Sequence, residues 1–337
     1  MHLHENNLWT LIAPVLGSRR ADAVFAAVAV PEALERPGGP VSRAQLAMAL
    51  NLLLFDGLEQ RVPQAQAYVR DSVRAGRRIR FDHGALRTVK APAGSLPMGA
   101  SAITRLLEPL GYAYAALYPL DRIALTGRAY AHQDLPEDIP QFFLSEFHPE
   151  RFSPEFQAAV ARTLADSVDP LPAWAGDLLA ELGAEGALDP ERARRLLPEL
   201  AACFERQHQP PLHADYRTML AESEEMAWIA TEGNAFNHVT DRVPDVMALA
   251  QAQKDLGRPM KDQVECSGSG RVLQTAFRAA QVERLFREPG GHLSVATVPG
   301  SFFEFITRKP KPDGNLDLAF DTNNAQAIFK MTAATGA

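Results

Sequence analysis

The chain has 337 residues, of which 46% are hydrophobic and 22% charged, enough length and apolar material for a single two-lobed domain with a real core. Its 34 basic and 41 acidic side chains give a net charge of −7, which argues against the domain-wide positive surface that phosphate-backbone binding needs. Only two cysteines occur, Cys203 and Cys266; they exclude a disulfide framework and a cysteine-based zinc site, and both read as buried thiols.

Residues 1–5 carry no basic segment leading into an apolar one, so no signal peptide is expected. The apolar stretch 46–55 is too short to span a bilayer, and the expected location is cytoplasmic, without membrane partners. The densest basic runs, Arg77-Arg78 with Arg80 and Arg308-Lys309 with Lys311, are short and read as solvated edges.

Residues 5–76 read as mainly helical. Ser42 is the expected N-cap of a helix whose apolar stripe runs through Ala44, Leu46, Ala47, Leu50 and Leu54. Pro63 is expected in the first turn of the next helix, which ends by Gly76. From Ile79 to Val89 the period changes to two, the mark of a strand. A helix over about 100–109 follows, then strand-like runs at 112–118, 123–132 and 141–147. Residues 152–228 return to helix, with the glycine-punctuated part 170–190 as an insertion or cap. A second strand-rich block spans about 232–320, broken by helices near 245–256 and 272–286. No internal repeat or low-complexity tract is visible. The pattern is α+β, one domain over 1–337, with a helical segment at about 150–228 between two mixed blocks.

Three segments place an ionisable side chain inside a strand-like run, where a buried charge is costly. In Arg80-Phe81-Asp82-His83-Gly84-Ala85-Leu86-Arg87-Thr88-Val89, strand alternation puts His83 and Arg87 on one face, and Gly84 permits close approach. In Asn234-Ala235-Phe236-Asn237-His238-Val239-Thr240-Asp241-Arg242, the same rule groups Phe236, His238, Thr240 and Arg242. In Pro299-Gly300-Ser301-Phe302-Phe303-Glu304-Phe305-Ile306-Thr307-Arg308, Glu304 stands among three phenylalanines and an isoleucine. A divalent cation would resolve the cost of burying that carboxylate.

Two imidazoles and a carboxylate form the facial triad of non-haem iron, with three coordination positions left for a chelating 2-oxo acid and O₂. Spacing alone leaves other readings open. The histidines can be hydrogen-bonded core residues, and Glu304 can pair with Arg308 or Arg242.

The same three segments, with weaker echoes at Gln141-Phe142-Phe143-Leu144-Ser145-Glu146 and Arg271-Val272-Leu273-Gln274-Thr275-Ala276-Phe277, resemble the 2-oxoadipate dioxygenase/decarboxylase (hydroxyglutarate synthase) family over roughly residues 80–310. The resemblance implies a fold related to the vicinal oxygen chelate enzymes: a curved central sheet around a metal, with the N-terminal and mid-chain helices packed outside. It also implies that His83, His238 and Glu304 bind Fe(II) and that Arg87 binds a substrate carboxylate. The implied reaction converts 2-oxoadipate and O₂ to 2-hydroxyglutarate and CO₂, a step of lysine degradation. Arg271 and Gln274 are further candidates for substrate contact. Two other functions fit the same residues: a non-redox isomerase or lyase of glyoxalase type using zinc or nickel, and a non-catalytic 2-oxo acid binding protein.

The chain is shorter than the larger bacterial members, and the part after Glu304 is brief, so contacts from a longer C-terminal region would be missing or replaced. The oligomeric state is not legible. His2 and His4 read as a disordered tail, His208 and His213 as loop residues, and Ser267-Gly268-Ser269-Gly270-Arg271 as a turn that lacks the ending of a phosphate loop. Glu222, Glu224 and Glu225 read as a solvated helix face.

Overall fold

In the computed structural model, which describes residues 3–321, the central feature is an eight-stranded sheet curled into a half-barrel. Its strands, together with those of one separate hairpin, are β1 (Phe81–Val89), β2 (Tyr112–Leu120), β3 (Leu125–His132), β4 (Gln141–Phe147), β5 (His238–Arg242), β6 (Glu265–Cys266), β7 (Val272–Ala276), β8 (Gln281–Arg287), β9 (Leu293–Pro299) and β10 (Phe302–Arg308). The sheet order is β2-β3-β4-β1-β5-β10-β7-β6, and β8 with β9 forms the hairpin apart from it. The α+β architecture with a curved central sheet is the one expected.

The sheet is mixed. β1 lies parallel to β4 and antiparallel to β5, and β10 lies parallel to β5 and antiparallel to β7. Parallel neighbours need long crossovers: β1 reaches β4 by way of β2 and β3, and β5 reaches β10 by way of β6 to β9. Central strands covered on both faces read as continuous apolar runs rather than clean alternation. Every residue of β1 and of β4 is buried.

One face of the sheet carries Phe81, Leu86, Phe142, Leu144, Val239, Phe303 and Phe305 into the larger core, under the helices of the N-terminal region and those at Ala173–Glu185 and Pro190–Ala202. Leu178, Leu179 and Leu182 of the 170–190 segment join that core, and the helix Pro190–Ala202 packs on the N-terminal helices Asn7–Leu16 and Arg43–Arg61. The helix Arg43–Arg61 is more than the amphipathic stripe its sequence suggests: residues 44–53 are all buried. It starts at the expected N-cap, where Ser42 and Gln45 form a capping box, a device that contributes about 1 kcal/mol. The other face carries Ala85, Val89, Phe143 and Phe147 into a second core with Met219, Trp228 and Ile229 from the helices His213–Glu222 and Glu224–Glu232. The same face also holds His83, His238 and Glu304.

Several local expectations need correction. The segment 272–286 is β7 and the start of β8, not helix. Gly270 turns the chain at a φ of 69°, and β7 then pairs with both β10 and β6, so tertiary pairing overrides the weak helical period. Residues 121–123 form a short 3-10 turn rather than the start of β3. Cys203 is buried, but Cys266 is exposed. His4 stacks on Trp9 at 4.4 Å and bonds Asp22, so that part of the tail is ordered, while His2 lies outside the described residues. His213 opens a helix and bonds Glu288. The run 267–271 is the expected turn, between β6 and β7. No helix among the described residues is long and apolar enough to cross a membrane.

Candidate metal centre

Sheet register builds the site. His83, Thr240, Glu304 and Ala276 form one rung across β1, β5, β10 and β7, and Ala85, His238 and Phe302 form the next. Directly opposed side chains on adjacent strands project to the same face, so three residues distant in sequence converge. His83 Nε2 and His238 Nε2 each lie 3.2 Å from Glu304 Oε2. Thr240 Oγ1 donates to the same carboxylate oxygen at 2.7 Å and lies 3.1 Å from His83 Nε2. The imidazole planes stand at 87° with centroids 5.5 Å apart, and one ligand atom from each of the three residues lies within 4.8 Å of the others.

The strand alternation expected around His83 is broken by a β-bulge. The register shifts between Phe81 and His83, leaving Asp82 as the extra residue. Phe81 therefore packs in the larger core, against Phe55, while Asp82 and His83 both serve the site. Asp82 Oδ1 accepts from His83 Nδ1 at 2.8 Å, which turns Nε2 toward Glu304. Phe236 likewise lies in the larger core instead of beside His238. The ring of Phe236 is what comes close to Gly84: a Cβ there would lie 2.3 Å from it.

Electrostatics distinguish the two histidines. Burial depresses the His238 imidazole, and the Glu304 carboxylate does not recover it. Burial acts equally on His83, but hydrogen bonds to Asp82 and Glu304 outweigh it and raise that ring. Burial would raise Glu304, yet His238 and His83 hold it well below the usual carboxylate range. Asp82 is held low against its burial by Arg308 and His83.

This donor set fits a divalent metal ion. Glu304 is wholly buried, and its Oε1 and the Nδ1 of His238 have no hydrogen-bond partner among the described residues. Two imidazole nitrogens and one carboxylate with open positions beside them are borderline-to-hard ligands suited to iron, zinc or nickel.

Arg87, on the same face of β1 as His83, is fully buried. Its guanidinium lies 4.8 Å over the Trp228 ring, and its pKa is pushed down to about 10 by burial, partly offset by Glu225. It remains a cation at neutral pH. Of the acidic run expected on a solvated face, Glu222 is exposed and Glu224 half-buried, but Glu225 is buried beside the site. Gln274 is buried on the site's face, paired in register with Ile306, two residues beyond Glu304. Arg271 is drawn away: it is half-exposed and bonds Asp317 at 2.7 Å.

Arg308, expected on a solvated edge, is buried and donates to both oxygens of Asp82. The chain after it, residues 309–321, forms a strap that lays Phe320 against His83 at 4.8 Å, among Tyr118 and Phe143. Beside the strap opens a cavity of about 530 Å³, lined in part by Tyr118, Ala129, Gln141 and residues 316–319. Gln141 pairs in register with His83, so the cavity adjoins the metal-side face. Sequence reasoning missed Asp82, Thr240, Trp228 and Phe320. Adjacency to His83 was a signal for Asp82, and shared alternation with His238 was one for Thr240; the other two had none.

Known proteins share this fold. A family model described as 2-oxoadipate dioxygenase/decarboxylase matches residues 52–326. A glyoxalase superfamily protein from Ralstonia eutropha JMP134 is 53% identical, with a TM-score of 0.90 over 94% of this chain and 98% of its own. The hydroxyglutarate synthase of Oryza sativa, solved with 2-oxoadipate, is 18% identical with a TM-score of 0.67, covering 91% of this chain and 95% of its own. That of Pseudomonas putida, also solved with 2-oxoadipate, is 21% identical with a TM-score of 0.62, covering 88% and 74% respectively. No curated protein matches the chain significantly.

Proposed function

Because the chain belongs to the 2-oxoadipate dioxygenase/decarboxylase family, we propose that it is an Fe(II)-dependent enzyme that converts 2-oxoadipate and O₂ to 2-hydroxyglutarate and CO₂, as a step of lysine degradation in the cytoplasm. The observation that carries this reading is the wholly buried Glu304 carboxylate with two imidazole nitrogens at 3.2 Å. His83, His238 and Glu304 would hold the metal, which when bound supplies a Lewis acid for the 2-oxo acid and a redox partner for O₂.

The rest falls to side chains of this chain. Arg87 binds a substrate carboxylate through a planar, bidentate fork, stiffened by its packing on Trp228. That anchor keeps the shortened dicarboxylate in place after CO₂ leaves, so both oxidations strike one molecule. Gln274 adds a polar contact from β7; Arg271, engaged by Asp317, is not needed. Phe320, Tyr118 and Phe143 exclude water from the His83 side. The electrons balance without an added reductant: oxidative decarboxylation and hydroxylation of one substrate together supply the four that O₂ takes up.

The test is product analysis. Iron-loaded protein incubated with 2-oxoadipate under ¹⁸O₂ is expected to yield 2-hydroxyglutarate labelled from O₂, detected by mass spectrometry. Absence of that product, with no turnover of any other 2-oxo acid in a panel, would refute the assignment. The relative described as a glyoxalase superfamily protein supports one second reading, a non-redox isomerase; anaerobic turnover with zinc or nickel, and none with iron and O₂, would select it.

A further inference from the structure

We propose that Asp82 and Arg308 are positioning residues of the metal centre, with Asp82 fixing the His83 ring for ligation and Arg308 tying that carboxylate to the C-terminal strap. This rests on the reading of His83 as a metal ligand and extends it outward by three links. The first is the bond from His83 Nδ1 to Asp82 Oδ1 at 2.8 Å. A carboxylate on the remote nitrogen sets the tautomer, orients the ring and raises its basicity as a ligand. His238 has no such partner among the described residues and rests instead on Phe302, at 4.8 Å. Orientation of the ligand pair is therefore asymmetric, and Asp82 is what fixes its firmer half.

The second link is the guanidinium. Arg308 Nε donates to Asp82 Oδ2 at 2.9 Å, and Nη2 donates to Oδ1 at 2.9 Å. The third link uses its remaining nitrogen: Nη1 donates to the carbonyl oxygens of Asp317 at 2.7 Å and Ala319 at 2.8 Å. The next residue, Phe320, places its ring 5.2 Å from the Arg308 guanidinium carbon and edge-on to His83 at 4.8 Å. A second anchor holds the same turn of chain, since the Phe320 amide donates to Tyr118 Oη at 3.0 Å.

An ion pair that only held the fold would require neither contact with the metal-side histidine nor use of the same guanidinium on two strap carbonyls. Arginine suits this position because its donors diverge in one plane; a lysine ammonium cannot span a carboxylate and two carbonyls at once. Metal binding and strap seating are thus linked, and linkage is reciprocal: metal should tighten the strap, and loosening the strap should weaken metal binding.

The test uses the full chain and Co(II) as a spectroscopic probe, with hydrogen exchange read over residues 309–321. Wild type is expected to bind Co(II) and to exchange these amides more slowly when loaded. Asp82→Asn should lower Co(II) affinity about 10- to 100-fold, the range for loss of an outer-shell partner, and alter the Co(II) absorption spectrum. Arg308→Lys should abolish the Co(II)-induced slowing over 309–321 and lower Co(II) affinity. A folded Asp82→Asn with wild-type affinity and spectrum would overturn the proposal. So would exchange over 309–321 that ignores Co(II) in wild type, or an Arg308→Lys protein that keeps the slowing; this second arm decides the matter if Asp82→Asn does not fold. Failure of wild type to bind Co(II) would instead overturn the metal-site reading itself.

Discussion

Glu304 has no exposed surface, and an isolated ionised carboxylate so placed would neutralise itself. His238 and His83 hold it ionised, and a bound metal would supply compensating charge. Glu304→Ala should therefore lose metal binding entirely while leaving a folded protein, measured by metal content after dialysis; retained stoichiometric metal would remove Glu304 from the site. Arg87→Lys should keep the metal but raise KM for the 2-oxo acid about 10- to 100-fold, since bonds to charged groups are worth about 1.5–3 kcal/mol. An unchanged KM would make Arg87 a structural partner of Trp228 and Glu225. At this scale much was legible. Ionisable residues in apolar runs stood out because burial makes them costly, and the motifs joined them. Asp82 was hidden because strict alternation assigns it to the opposite face, and only the bulge turns it inward. Arg271 misled because its partner, Asp317, is remote in sequence.

At the scale of elements, the strands that carry His83, His238 and Glu304 are supported from behind by close packing. Gly84 backs onto Phe236, which also packs on Phe142 and Phe204. Gly84→Ala should cost about 1–3 kcal/mol through overpacking, measurable by denaturant unfolding; a neutral result would mean that Phe236 has room to move. On β5, Asp241 accepts from Tyr68 Oη at 2.6 Å and from the Arg80 amide, yet burial pushes its pKa up to about 6. Its folded-state pKa lies above the unfolded value of about 4, so the native state binds the extra proton between these two values. Stability from this group is present at low pH and is lost as pH rises through about 6. Asp241→Asn should accordingly gain stability relative to wild type between pH 4.5 and 7.5, and an equal difference at both values would contradict this. Helices with caps and strong apolar spacing were readable, as at Ser42 and Pro63. Residues 272–286 were not, because their pairing with β10 and β6 is a tertiary fact.

At the scale of the molecule, one curled sheet separates a large core from a second face that is part core and part candidate metal site. The overall class could be read from the alternation of helical and strand-rich blocks. The strap could not, since nothing local in residues 309–321 says that they return to cover His83. A ligand that binds only the folded state stabilises it by mass action, about 2.7 kcal/mol at a hundredfold excess over Kd, so added Fe(II) should raise the thermal unfolding temperature of wild type but not of Glu304→Ala.

The most direct measurement is oxygen uptake under 2-oxoadipate with defined metals. Wild type loaded with Fe(II) should consume one O₂ per CO₂ released, while the zinc-loaded protein and iron-treated Glu304→Ala should consume none above background. Tight zinc binding with no oxygen uptake after iron loading, or undiminished uptake by Glu304→Ala, would contradict an iron centre built from His83, His238 and Glu304.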